Sequence, residues 1–474
     1  MKKNNLITQT AIMTAVNLLM RSVGVWFNAY LTKKIGSTGI GLFQLVMTVY
    51  SLAVTFSCAG IRLATTRISV EIKTLKKNDM KKSLSLYTTY GGITGAVTGF
   101  ILFEFSNLIG NYAINNTSTV LPIKILSLSL PFVAMSSCMG GYFTAADYVS
   151  QYSVIQILEQ LFKIGATIVI ISKIGEINDE YACTSVVVGM TASEIFSFIL
   201  SLILKKRKIT CEKNKNAVGI KEFMRIAVPD GIGECARSVL LTVEHLLIPK
   251  GFRKSGTKYE SALASYGIIH GMAMPILLYP SAVLSSLSSL LIPNLAAYNK
   301  LGSRDIINYT IKRNLKKTLI YSAVCSLFFF SFASPLSEII YKSKEAAKYI
   351  RILSPLIPVM YTDMVTDGML KGLDQQIYSM RYNIIDSAMC VGLVYFLLPK
   401  YSVNGYIFIL YISELINFFL SISRLNKICD IGLRCLKEHE EGNSRFFQQK
   451  ICSGVPSVYE YQTYQVRAKR SQDH

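Results

Sequence analysis

The sequence predicts an all-α, polytopic membrane protein with about twelve transmembrane helices, arranged as two six-helix lobes around a central cavity. Three observations predict it. Of 474 residues, 51% are hydrophobic and mean hydropathy is +0.37, above the roughly 45–50% apolar content of soluble domains. Apolar runs of about 20 residues recur along most of the chain, each able to cross a hydrocarbon core of roughly 30 Å at about 1.5 Å per residue. Short segments repeat at an offset of roughly 220 residues. Strands of an outer-membrane barrel would be about half as long and would alternate in sidedness, which these runs do not.

Spans are expected near 7–31, 40–61, 84–105, 123–145, 152–172, 183–204, 230–249, 265–292, 317–340, 352–370, 380–398 and 403–423. The opening MKKNN precedes an apolar run with no small-residue cleavage site, so it reads as a retained first span rather than a secretory leader. The expected organisation is a first lobe over 1–204, a basic cytoplasmic linker over 205–229, a second lobe over 230–425 and a polar cytoplasmic tail over 426–474. Within the linker, AVGIKEFMRIAV (217–228) has its charges on one side of an apolar helix and is expected to lie along the inner membrane surface. Pro229 would then open the next helix.

The net charge of +21 raises the question of nucleic acid. The lysines and arginines instead fall in short connections between spans, as the positive-inside rule requires, so no nucleic-acid partner is expected. One side collects Arg67, Lys73, Lys81 and Lys82, the 205–225 block, and Arg304 to Lys317; the other has no Lys or Arg over 106–122. Connections around Arg253 and Lys344 run against the bias. Both termini are thereby assigned to the cytoplasmic side of the inner membrane. Ten scattered cysteines show no CxxC and no Cys/His spacing, which argues against a disulfide framework or a zinc site.

The repeat gives the lobes a common plan. MRSV (20–23) is echoed by ARSV (236–239), each in an apolar span followed by a basic turn, LTKKIG and PKGFRKSG. GGYFTAADYVSQYSVIQILEQ (140–160) parallels DGMLKGLDQQIYSMRYNIIDS (367–387), and CAGIRLATTRISVE parallels LLIPNLAAYNKLG. Two such halves that rock about a cavity form the layout of a transporter.

GSTGIGLFQLVMTVYSLAVTFSCAGIRLATTRISVE (36–71) resembles the first loop and second span of the stage V sporulation protein B group of polysaccharide-type flippases. That group lies within the multidrug/oligosaccharidyl-lipid/polysaccharide superfamily, which also holds the multidrug and toxin extrusion (MATE) transporters. The second half agrees through YGIIHGMAMPILLYPSAVLSSLSSLLIPNLAAYNKLGSRD (266–305) and GMLKGLDQQ (368–376), and the similarity spans roughly 6–425. The resemblance implies a MATE-like fold. It also implies a flippase moving a polyprenyl-pyrophosphate-linked oligosaccharide or peptidoglycan precursor across the cytoplasmic membrane by alternating access, with a role in spore cortex or other envelope polysaccharide synthesis. The chain departs from the group in three places: Asn28 stands where a second arginine is common, GIRLA (60–64) where GLPxA is common, and Asp374 where glycine is usual.

Charges inside spans carry the functional reading, because each costs about 2.5–3.5 kcal/mol at mid-bilayer and is kept for a partner or a wet interior. Arg21 in span one and Arg237 at the matching place in span seven would put cationic forks on facing walls of the cavity, suited to a pyrophosphate headgroup. Arg62 would help admit the headgroup and partly replace the charge absent at Asn28. The structural alternative for each arginine is a stem reaching to the interface. Asp363 and Asp367 share a helix face and, with Glu234, Glu244 or Asp386, form a candidate coupling site for Na+ or H+; no other cofactor is expected. Glu159 and Lys163 are expected to neutralise each other. Glu104, Glu194 and Glu414 are expected at interfaces, and His245 and His270 as hydrogen-bonded packing residues.

The expected partners are the lipid-linked substrate and membrane lipids, with the protein as a monomer. A cation-coupled multidrug exporter is the first alternative, although an apolar or acidic cavity would suit cationic drugs better than paired arginines. A membrane glycosyltransferase or ligase is the second. No phosphate-binding glycine loop, nucleophile elbow or metal cluster is present, so transport without covalent chemistry is expected, not an enzyme.

Overall fold

A computed structural model describes residues 3–75, 80–146, 148–173, 179–204, 219–300 and 302–429. Among the described residues every regular element is helical. Most of the linker (205–218) and nearly all of the tail (from 430) lie outside them.

The first half comprises α1 (Lys3–Cys58), α2 (Ile61–Leu75), α3 (Met80–Leu108), α4 (Val120–Ser127), α5 (Leu130–Ala145), α6 (Val149–Lys173) and α7 (Asp179–Leu204). The second comprises α8 (Ile220–Lys254), α9 (Tyr259–Gly267), α10 (Met274–Leu277), α11 (Ser281–Lys300), α12 (Arg304–Tyr341), α13 (Lys344–Leu353), α14 (Ile357–Gly372) and α15 (Gln376–Ile428). Each expected span overlies helix. Among the described residues seven helical segments are long and apolar enough to cross a membrane, or eight if the pair Thr117–Ser127 and Leu130–Ala145, bent by 46°, counts as one. Two of the seven are hairpins of spans that pass through a break: α1 turns at Gly36 (φ 67°) and α15 at Ser402 (φ 49°), just after Pro399. Phe100, Leu327, Ile339, Phe396 and Phe419 stand exposed on the outside of the bundle, as lipid-facing side chains do.

The repeat is visible in the backbone. A left-handed glycine, Gly36 or Gly256, separates the first two spans of each half. The 16-residue helices α5 and α14 each begin with a proline in the first turn, follow a short helix and are followed by a brief turn into the next span.

The described part of the segment 217–228, from Gly219 onward, differs from expectation. Helix α8 is continuous from Ile220 to Lys254 across position 229, so this stretch extends span seven rather than forming a separate surface helix. Its apolar face has a protein partner: Phe223 is fully buried, stacks on Tyr87 at 4.3 Å and meets Tyr90 edge-on at 5.6 Å. Lys221, Glu222 and Arg225 remain exposed. Phe223→Ala removes both aromatic contacts and leaves a void, so it is expected to destabilise the detergent-purified protein by about 3–5 kcal/mol, read as a lower unfolding temperature. An unchanged midpoint would show that the segment is not docked.

Candidate functional site

Helix α1 is where the halves meet, at three levels. At the end farthest from the linker, Gly41 and Gly267 let two backbones touch: a Cβ at Gly41 would overlap the Leu263 carbonyl, and one at Gly267 would overlap Ser37 and the Gly41 backbone. Lys250 Nζ donates to the Tyr112 carbonyl at 2.9 Å and the Tyr259 hydroxyl to the Ile114 carbonyl at 3.2 Å, joining the halves at the same end. At the linker end, Gly60 (φ 67°) admits the Ala227 carbonyl and the Ser238 hydroxyl donates to Thr55 Oγ1 at 3.2 Å.

Between these levels sits Arg21. It lies fifteen residues before the Gly36 break, roughly 22 Å along the helix at 1.5 Å per residue and so deep in the bilayer. Its guanidinium does not reach for an interface. Nη1 donates to the Leu278 carbonyl at 2.5 Å and to Ser281 Oγ at 2.8 Å, across the seam, at the turn between α10 and α11. The Leu278 carbonyl also takes the Ser281 N–H at 3.2 Å and the Ser281 hydroxyl at 2.7 Å, so the guanidinium joins a carbonyl that the break between the two helices turns toward the seam. Next to it the Ser22 and Tyr279 hydroxyls share a hydrogen bond of 2.8 Å. Both Nη1 hydrogens are engaged, and among the described residues the Nε/Nη2 edge has no protein acceptor. That edge is the fork with which arginine grips a phosphate.

The other predicted cations lie apart from this point. Arg237 is exposed on α8 and interacts electrostatically with Asp363, Asp386 and Glu414 of its own half. Arg62 is exposed at the start of α2, with Cζ 5.4 Å from the Tyr152 ring centre. Asn28 lies two turns beyond Arg21, half-buried, its carbonyl taken by the Thr32 hydroxyl at 2.8 Å.

The acidic residues divide. Asp363 accepts from Asn417 Nδ2 at 3.1 Å and from Ser421, while its other oxygen and Asn417 Oδ1 are buried without a partner among the described residues. Asp386 accepts from Ser413 at 2.7 Å and interacts with the buried Glu244. Asp367 is tied by Lys371 at 2.7 Å and by Ser379. Glu234 stands exposed near Cys58 of the first half. Among the described residues no three His, Cys, Asp or Glu side chains converge as a metal cluster. The unpartnered oxygens of Asp363 and Asn417 therefore suit a monovalent cation held by mixed carboxylate, carboxamide and hydroxyl ligands.

Two expectations are corrected. Glu414 and Glu194 sit mid-helix inside the bundle: Glu414 faces Asp363 and Asp386, and Glu194 faces Glu159 and Lys163. Glu159 accepts the Ser197 hydroxyl at 2.6 Å and interacts electrostatically with Lys163, as expected of this pair. Glu104 is exposed. His245 and His270 are hydrogen-bonded packing residues, to Tyr266 at 2.9 Å and to Tyr406 at 2.7 Å. Sequence reasoning also missed Arg424, whose Cζ stacks 3.5 Å from the Tyr378 ring centre while Nε and Nη2 grip Gln375 Oε1. It directly follows the expected last span, 403–423, where nothing in the sequence marks it out.

Comparison with known proteins agrees with this architecture. The family described as polysaccharide biosynthesis protein matches residues 6–299, more than half the chain, and the MatE family matches 256–396. Stage V sporulation protein B of Bacillus subtilis (strain 168) is 22% identical over 453 residues, covering 93% of this chain and 87% of that protein. Sporulation protein YkvU of the same organism is 19% identical over 375 residues, 78% of this chain and 83% of that one. Among solved structures, an inward-facing MATE-family multidrug resistance transporter superposes with a TM-score of 0.68 at 10% identity, covering 88% of this chain and 98% of that one. The lipid II flippase MurJ, in an inward closed conformation, also gives 0.68, at 14% identity and 88% and 87% coverage. The chain belongs to the polysaccharide biosynthesis protein family, as a multi-pass membrane protein similar along most of its length to stage V sporulation protein B.

Proposed function

We propose that this protein flips a polyprenyl-pyrophosphate-linked oligosaccharide or peptidoglycan precursor across the cytoplasmic membrane. The observation that carries the reading is Arg21: a guanidinium deep in the bilayer, at the seam between the halves, with its Nε/Nη2 edge unspent on protein. A pyrophosphate is the chemistry that such an edge selects. The lipid tail stays in the bilayer, and only the headgroup passes between the halves. Arg62, at the linker end of the first half, receives the headgroup; Arg237 and Asn28 extend the polar path. The Arg21 tie to Leu278 and Ser281 is the contact the headgroup exchanges as the halves rock. The linker end faces the cytoplasm, supported by the basic residues gathered there, among them Arg67, Arg225, Arg313 and Lys427. Both termini share that side, and the protein works as a monomer on an envelope precursor, as the similarity to a stage V sporulation protein suggests for spore cortex synthesis. Deleting the gene should cause one lipid-bound glycan to accumulate on the inner leaflet. A lipid-glycan profile identical to that of the parent strain contradicts the assignment.

Coupling is assigned to the second half. Asp363, with Asn417 and Ser421, would hold Na+ or H+, flanked by Asp386, Glu244 and Glu414; Asp367, neutralised by Lys371, and Glu234, set apart near Cys58, contribute less. Asp363→Asn is expected to remove any stimulation of flipping by a sodium or proton gradient, measured in proteoliposomes, while Asp367→Asn retains it. Equal gradient dependence in Asp363→Asn and parent excludes this site. The same carboxylates support the second reading, export of a cationic drug, which substrate competition separates from flipping.

A further inference from the structure

Apart from the seam and the carboxylate group, the second half contains a cavity of about 400 Å³ at its linker end. Its polar walls are Asn299, Arg304, Asn308, Asn426 and Lys427, contributed by the end of α11, the start of α12 and the end of α15. Among the described residues no acidic side chain lines it. Asp305 and Asp374 are next in sequence to lining residues, but both are exposed and outside the wall. Among the described residues neither Arg304 nor Lys427 has an ion-pair partner. The volume falls in the roughly 300–1,000 Å³ range of small-ligand sites. Two cations, exposed at the mouth, beside the carboxamide donors of Asn299 and Asn308 form a surface that favours an anion over a cation.

We propose that this cavity binds a phosphate-bearing anion, gripped by Arg304 and Lys427 and oriented by Asn299, Asn308 and Asn426. Basic pockets between helices near the cytoplasmic surface are suited to lipid headgroups, and the same groups would take a soluble phosphate. Either ligand bridges the α11–α12 turn to the end of α15 and ties together helix ends that have no covalent link there. Binding is therefore stabilising by mass action.

The test uses the full-length protein and two probes: nanodiscs of phosphatidylglycerol against phosphatidylcholine, and inorganic pyrophosphate added to protein in phosphatidylcholine. At least one probe should raise the unfolding temperature of the parent. In the double variant Arg304→Gln/Lys427→Gln the half-saturating amount should rise about tenfold, whereas Arg304→Lys should shift it less than about threefold. A response to phosphatidylglycerol alone assigns the site to a lipid headgroup; a response to pyrophosphate alone assigns it to a soluble ligand. Asn308→Leu, which removes one donor without touching charge, gives a second reading should the double variant not fold. The proposal is overturned if neither probe stabilises the parent, if the folded variants respond as the parent does, or if the surface control Lys316→Gln/Lys317→Gln weakens the response as much.

Discussion

Replacing Arg21 by alanine is expected to weaken binding of a polyprenyl pyrophosphate by about a hundredfold. Two charge-assisted bonds from one fork contribute about 1.5–3 kcal/mol each, and every 1.4 kcal/mol is a factor of ten. The Leu278 carbonyl keeps the Ser281 N–H at 3.2 Å and the Ser281 hydroxyl at 2.7 Å in the variant, so the loss is set by the two ligand bonds, taken at the lower end of the range. Arg21→Lys keeps the charge but loses the planar fork and should fall between, about tenfold weaker than the parent. Ser281→Ala removes only one internal partner of the guanidinium and should change affinity less than about threefold. Equilibrium binding of a labelled polyprenyl pyrophosphate to nanodisc-held protein measures all three. Parental affinity in Arg21→Ala would remove this side chain from the site.

Gly267→Leu is expected to break the closed seam at the end opposite the linker. At this position the neighbours are backbone atoms of Ser37 and Gly41, which cannot swing away as a side-chain tip can. Any side chain must push α9 off α1. Overpacking of this kind costs about 1–3 kcal/mol or more, enough to shift the closed population about tenfold or beyond. Spin labels at the exposed Lys34 and Lys258, one from each half at that end, should move several ångströms apart, with flipping reduced. The reverse arrangement, Gly41→Leu against the Leu263 carbonyl, should do the same. An unchanged distance distribution in both variants would show that the glycine contact is not what closes this end.

The membrane fold was legible because a bilayer imposes length and apolarity on every crossing, and because Gly36 and Gly256 break the helix where only a left-handed residue fits. The repeated short turns before α6 and α15, each following a glycine-bearing helix end, could likewise be read from residue types. The site was legible only as a set of improbable charges. Nothing local to MRSV indicates that the partners of Arg21 lie 257 and 260 residues away, since that pairing exists only once the halves close. Glu194 and Glu414 were misplaced for a related reason: a carboxylate in an apolar run looks the same whether its face meets lipid headgroups or Lys163 and Arg237. Continuity of α8 was hidden because the charge pattern of 217–228 suits a membrane surface as well as it suits Tyr87 and Tyr90.

Cargo charge is the most direct test of a flippase built around Arg21. Proteoliposomes containing the parent protein should move a labelled polyprenyl-pyrophosphate sugar between leaflets, should lose at least about nine-tenths of that rate in Arg21→Ala, and should not be slowed by excess of a lipophilic cationic dye. Dye transport with no movement of the pyrophosphate lipid, or pyrophosphate flipping at the parental rate without Arg21, would contradict it.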